Sequence, residues 1–274
     1  MLYPILIFIF GTIIGSFLNV VILRYNSGMS LGGRSGCFSC GKPLTWKELI
    51  PLLSFFYQRR KCVGCGSAIS WQYPAVEALT GLSFVLIFYK YFGNDLILSA
   101  ERVSSALIYA VIFCLLIVIA VYDMRHKIIP NGPVYLFITL SFVSTILFPL
   151  FFNTFSFQPI TILAGPALFL PFFILWFMSD GTWMGFGDAK IALGIGWLFG
   201  LAQGFTALVL AFYIGAAFGL SAIAAEKVIS KLRTVRGLNI NSKRLTMKSE
   251  IPFGPFLILG VYLVFIFNFN FFNF

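Results

Sequence analysis

The 274 residues are 59% apolar and only 10% charged, with a mean hydropathy of +0.95. That excludes an ordinary soluble domain, and 34 Phe and 25 Gly among so few charges exclude a disordered chain, a coiled coil and a disulfide-stapled secreted module. Nineteen Lys and Arg against nine Asp and Glu give +10; in a soluble chain this would suggest nucleic acid, but here the basic residues lie between apolar runs, where they face anionic lipid head groups and set orientation. The chain reads as an all-α polytopic membrane protein with the lipid bilayer, and no nucleic acid, as its partner.

Crossing a hydrocarbon core of roughly 30 Å takes about 17 to 25 apolar residues. Such runs occupy residues 2–23, 75–92, 103–122, 134–152, 160–178 and 251–267. Residues 191–225 are 35 uncharged positions, too many for one span and barely enough for two, with Gly200 and Gly204 offering a turn near the middle. With two spans there the total is eight. If the N-terminus is outside, the inner loops hold Arg24, Arg34, Lys42, Lys47, Arg59, Arg60 and Lys61, then Arg125 and Lys127, then Lys190, then Lys227, Lys231, Arg233, Arg236, Lys243, Arg244 and Lys248. Seventeen of nineteen basic residues then face the cytoplasm, leaving Lys90 and Arg102 outside. A single span would divide them ten to nine and erase the bias. The expectation is therefore eight spans with both termini outside. The first run is read as a retained helix rather than a signal peptide, because it lacks a basic start and contains Thr12, Ser16 and Asn19. No internal repeat is expected. Asn19, polar within the first run, calls for a hydrogen-bond partner on a neighbouring helix.

The first inner loop contains Cys37-Phe38-Ser39-Cys40 and, after 21 residues, Cys62-Val63-Gly64-Cys65. Each CxxC turn presents two thiolates to one ion, and two turns complete a tetrahedral four-sulfur zinc site. Gly41 and Gly66 follow the second cysteine of each pair, and the reducing cytoplasmic side disfavours disulfides. Four protein ligands close the site, so a structural role is expected, with redox or catalytic thiols, or no metal at all, as the alternatives. Cys114, alone in the third run, is expected to be a small buried hydrophobe.

Two carboxylates stand in denser settings than the rest. Asp123 follows the third run, and Asp188 closes Gly185-Phe186-Gly187-Asp188 and precedes Ala189-Lys190. Two spans separate them, so both lie on one membrane face. Like charges a few ångströms apart cannot both ionise easily, and a pair sharing one proton suits peptide hydrolysis: one member takes a proton from water while the other donates to the carbonyl oxygen. Gly185 and Gly187 would let an extended substrate approach Asp188. The plainer alternative is an interfacial charge at each position, with Asp123 paired to Arg125 or Lys127 and Asp188 capping a helix. Asp180, eight residues before Asp188, is a rival.

Taken together these motifs resemble the type IV prepilin peptidases, membrane aspartic proteases of the Gly-x-Gly-Asp class. The likeness runs from Gly15-Ser16-Phe17-Leu18-Asn19 through both CxxC pairs, Ile50-Pro51-Leu52-Leu53-Ser54, Tyr73-Pro74-Ala75-Val76-Glu77, Asp123 to Asn131 and Gly185 to Lys190, and ends at Ile251-Pro252-Phe253-Gly254-Pro255-Phe256. It implies catalytic roles for Asp123 and Asp188 and substrates that are prepilins or pseudopilins, cut on the cytoplasmic face of the bacterial inner membrane after a glycine. It further implies N-methylation of the new N-terminus from S-adenosylmethionine, linked to the first inner loop. On that basis residues 1–74 form a methyltransferase-linked region and 75–274 a peptidase domain of seven helices. Glu77 is the candidate for methyl transfer, with an interfacial anchor as its alternative, and Lys190 either tunes the carboxylate pair or anchors its helix. Phe38, Leu23 and Gln72 depart from the residues usual in the family at those positions, and all three bear on the methyltransferase. A non-enzymatic rival is a membrane adaptor or transporter with a zinc-binding loop.

Overall fold

The computed structural model describes residues 2–93, 98–147, 160–235 and 252–271. Among them the chain is all-helical, with two isolated β-bridges and no strand. In order come α1 (Leu2–Arg24), a 3₁₀ turn (Trp46–Leu49), α2 (Leu53–Tyr57), α3 (Gln72–Phe92), α4 (Ala100–His126), α5 (Asn131–Phe142) running into a π-turn (Val143–Leu147), α6 (Ile160–Met178), α7 (Phe186–Val235) and α8 (Gly254–Phe267). Five of these helices are long and apolar enough to cross a membrane, and α8 is a shorter apolar one. This is a polytopic membrane protein. Residues 148–152 of the expected fourth span and Arg236, Lys243, Arg244 and Lys248 lie outside the described residues.

The structure divides into two compact units. The first runs from the N-terminus through Tyr122 and resumes at Gly132; the second comprises Asp123–Asn131 and the chain from α6 onward. The 74/75 partition expected from function falls inside the first unit.

In the first unit α1 and α3 pack antiparallel in a four-residue register. A Cβ on Gly11 would lie 2.8 Å from Gly81 Cα and one on Gly15 would lie 2.7 Å from Glu77 Cα, so the backbones approach as small residues allow. One turn further, Asn19 Nδ2 donates to the carbonyl oxygen of Tyr73 at 3.1 Å, which supplies the helix partner that the sequence demanded. Leu18, Ile22, Val76, Ile117, Val118 and Val121 form a core from α1, α3 and α4, and Cys114 packs half-buried against it.

In the second unit the 35-residue uncharged stretch is settled by Gly200, whose φ of 77° and ψ of −177° break α7. A Cβ on Gly204 would sit 3.4 Å from Ile195 O. Nine residues of continuous helix would separate those positions by about 13 Å, so the chain reverses at Gly200 into two antiparallel arms. The first arm packs on α6, where Gly196 meets the backbone of Ala164 and Gly165. Pro166 has no N–H to offer the carbonyl of Ile162 four residues back, and Trp197 Nε1 donates to that oxygen instead at 3.0 Å. The second arm packs on α8, Gly260 resting on the Ala207 carbonyl.

Candidate active site and metal centre

The loop between α1 and α3 is a duplicated hairpin, which corrects the expectation of no internal repeat. Cys37-x-x-Cys40-Gly41…Leu44-Thr45-Trp46 recurs as Cys62-x-x-Cys65-Gly66…Ile69-Ser70-Trp71. Matching bonds close each copy: Gly41 N donates to Cys37 O at 2.9 Å and Gly66 N to Cys62 O at 2.8 Å, while Cys37 N donates to Lys42 O at 3.0 Å and Cys62 N to Ser67 O at 2.9 Å. Gly41 and Gly66 adopt φ of 71° and 73°, which glycine enters freely. The repeat escapes a sequence reading because outside the cysteines, glycine and tryptophan its positions share only chemical character.

The two hairpins bring four Sγ atoms within 4.8 Å of one another, and Cys37 Sγ is 3.8 Å from Cys65 Sγ. Four sulfurs at about 2.3 Å around a tetrahedral ion would be about 3.8 Å apart, so the cluster fits a metal. Its thiols are prepared unequally. Amides of Cys40 and Ser39 bring the Cys37 thiol down to about 6, and Ser67 lowers that of Cys65. On Cys40 the Lys42 amide pulls downward, but the neighbouring thiols and burial outweigh it and the thiol stands at about 11. Glu77, buried on α3, accepts the Leu52 N–H through Oε2 at 2.8 Å and is also hydrogen-bonded by Ser16. It ties the loop to α1 and α3.

The second unit assembles the carboxylates. Asp123 occupies the last turn of α4 rather than following that helix, and Asp188 is the third residue of α7. Both are buried. Asp123 Oδ2 accepts the Gly254 N–H at 3.1 Å, at the N-terminus of α8, and a Cβ on Gly254 would be 2.7 Å from that oxygen. In the sequence Gly254 stands only within the closing stretch of the family likeness; its role as the amide that holds Asp123 depends on packing across 131 residues. Asp188 N donates to Gly185 O at 3.1 Å, Asp188 Oδ2 faces the space a Gly185 side chain would fill, and Asp123 lies near enough for a charge on it to be felt at Asp188. Asp188 Oδ1 is buried and takes no hydrogen bond from the described residues. Gly187 presses on Ile129, whose Cβ would be 2.6 Å from a Cβ placed there.

The structure thus brings together Asp123, Asp188, Gly185 and Gly187. Lys190 directs its ammonium to Asn131 Oδ1 at 2.8 Å and over the Phe186 ring at 4.8 Å. Asp180 is exposed in the turn before α7 at φ 48°, whereas Asp188 is buried.

Two families match the sequence: the Bacterial Peptidase A24 N-terminal domain over residues 9–91 and the Type IV leader peptidase family over residues 110–220. The prepilin leader peptidase/N-methyltransferase of Bacillus subtilis (strain 168) is 30% identical over 96% of this chain and 94% of its own length. The protein of that name from Myxococcus xanthus (strain DK1622) is 40% identical over 47% of this chain and 36% of its own, and that from Dickeya chrysanthemi is 28% identical over 90% and 86%. No solved structure matches. With a relative of that identity aligned along nearly the whole chain, and the two domains matched in order, the chain belongs to the type IV leader peptidase family.

Proposed function

We infer that this protein cleaves the leader peptide from type IV prepilins and pseudopilins after a glycine and N-methylates the new N-terminal residue, the two activities named for its relatives. Asp123 and Asp188 are the catalytic pair. One carboxylate takes a proton from water as it attacks the scissile carbonyl, and the other donates to the carbonyl oxygen and then assists departure of the amine. Asp188 Oδ1, buried with no hydrogen-bond partner among the described residues, keeps a lone pair for the water or the substrate. The observation that carries the reading is the pairing itself: two buried carboxylates from the ends of different helices, near enough for the charge of one to act on the other, each beside a glycine where a side chain would press on a carboxylate oxygen.

Cys37, Cys40, Cys62 and Cys65 hold a structural zinc ion that fixes the loop. S-adenosylmethionine supplies the methyl group in the second reaction, and residues 1–74 serve that step. Glu77 contributes to it by holding the loop on α1 and α3 through Leu52. Lys190 fixes the Asp188 helix start against Asn131 and Phe186. The charge bias sets both termini outside the bacterial inner membrane and the carboxylate pair at the cytoplasmic face.

Mass spectrometry of a precursor co-expressed with the protein tests the function. The expected product begins directly after the glycine and carries one added methyl group. An intact precursor that merely co-purifies would instead support an adaptor.

A further inference from the structure

The segment joining α1 to α3 has a surface that neither hydrolysis nor the cysteine cluster uses. It carries Arg34, Lys42, Lys47, Arg59, Arg60 and Lys61 against one acid, Glu48, which is already paired with Lys42 at 3.2 Å. The same segment exposes large apolar side chains: Trp46 is 70% exposed, Leu53 69%, Phe56 63% and Tyr57 87%. These groups are organised. Short α2 buries Phe55, whose ring centroid is 4.9 Å from that of Trp71, and leaves Leu53, Phe56 and Tyr57 outward. Lys47 lies over the Trp46 ring at 5.5 Å and Arg60 over the Trp71 ring at 5.8 Å. Indoles stacked with cations beside apolar side chains make a surface that is greasy below and positive at its rim.

The height of this surface is fixed by Leu52, the residue before α2. Its N–H is held by Glu77 Oε2 at 2.8 Å, and its backbone stands at φ 60° and ψ −54°, in a tight turn in which Leu53 N donates to Pro51 O at 2.6 Å. Glu77 lies five residues into α3, about 7.5 Å along its axis, on the face that Gly15 of α1 approaches. Short α2 is therefore held beside the first turns of α3 and the C-terminal half of α1, two helices long and apolar enough to cross a membrane.

We propose that α2 and Trp46 dock in the head-group layer of an anionic leaflet. Leu53, Phe56 and Tyr57 enter the acyl boundary, and Arg59 and Arg60 meet lipid phosphates. The cysteine-bearing loop then lies against the membrane instead of standing off in water. The proposal rests on α1 and α3 spanning a bilayer and is independent of the carboxylate pair.

The test uses the full-length protein in nanodiscs of phosphatidylglycerol and phosphatidylcholine, with photo-reactive benzoylphenylalanine replacing Tyr57 and, in a control, Ile13 on the exposed face of α1. Intact mass reads the adduct. Phospholipid adducts at both positions are expected, with the Tyr57 adduct alone falling about fivefold for each charge removed in Arg59→Gln and Arg60→Gln. Lipid adducts at position 13 with none at 57 would overturn the proposal. So would an adduct at 57 that forms only with an added prepilin, which would make this a protein-docking face. Absence at both positions would overturn the membrane insertion on which the proposal depends, whatever the cleavage activity.

Discussion

Asp123 is held by a main-chain amide and Asp188 by the turn that precedes it, so the pair depends on residues without side chains. Gly187 shows how tightly. An added methyl at that position would meet the Ile129 side chain, and overpacking of this kind costs about 1–3 kcal/mol unless the neighbour yields. Gly187→Ala is expected to lower kcat/KM for precursor cleavage, and adding Ile129→Ala to the same chain is expected to restore much of it; no recovery in the double variant would mean that Gly187 acts on the substrate instead. The Gly-x-Gly-Asp spacing was plain in the sequence, and Gly185 stands beside Asp188, where a Cβ would lie 3.5 Å from Oδ2. The Ile129 contact was not legible, because it joins residues 58 positions apart and only packing reveals it. Gly254 was hidden for the same reason.

At the scale of elements, the α7 hairpin turns on one residue. Gly200 has φ 77° with ψ −177°, a region nearly closed to residues with a Cβ, where a substitution costs about 1–3 kcal/mol. Gly200→Ala is expected to lower the thermal unfolding temperature of the detergent-solubilised protein, while Gly32→Ala, at a glycine without positive φ in an exposed loop, is expected to leave it unchanged. Equal stability of the two variants would contradict the reversal at Gly200. Charge distribution had called for two spans in this stretch, and a glycine near its middle marked the break. Hydropathy alone would have read one long helix. The duplicated cysteine hairpin was legible only at its metal-binding positions, since hydrogen bonds between main-chain groups, not shared side chains, make the two copies alike.

Across the whole molecule, the cysteine cluster and the carboxylate pair belong to different compact units. Cys37→Ser combined with Cys62→Ser is expected to abolish bound zinc, measured by elemental analysis of the purified protein, and to reduce methylation before it reduces cleavage. Retained stoichiometric zinc would contradict the four-sulfur site, and cleavage lost ahead of methylation would contradict the assignment of the loop. The all-helical architecture, the run of long apolar helices and the spacing of both motifs were present in the order of residues; the approach of helices was not, because it depends on which glycines face each other.

The most direct measurement is cleavage of a purified prepilin by the purified protein with Asp123→Asn or Asp188→Asn, each variant checked for unchanged thermal unfolding. Loss of a proton-transferring carboxylate removes on the order of 10²–10⁴-fold in rate, so each variant is expected to leave the precursor at full length while still binding it. Cleavage at the rate of the unaltered protein by either one would contradict a two-carboxylate mechanism.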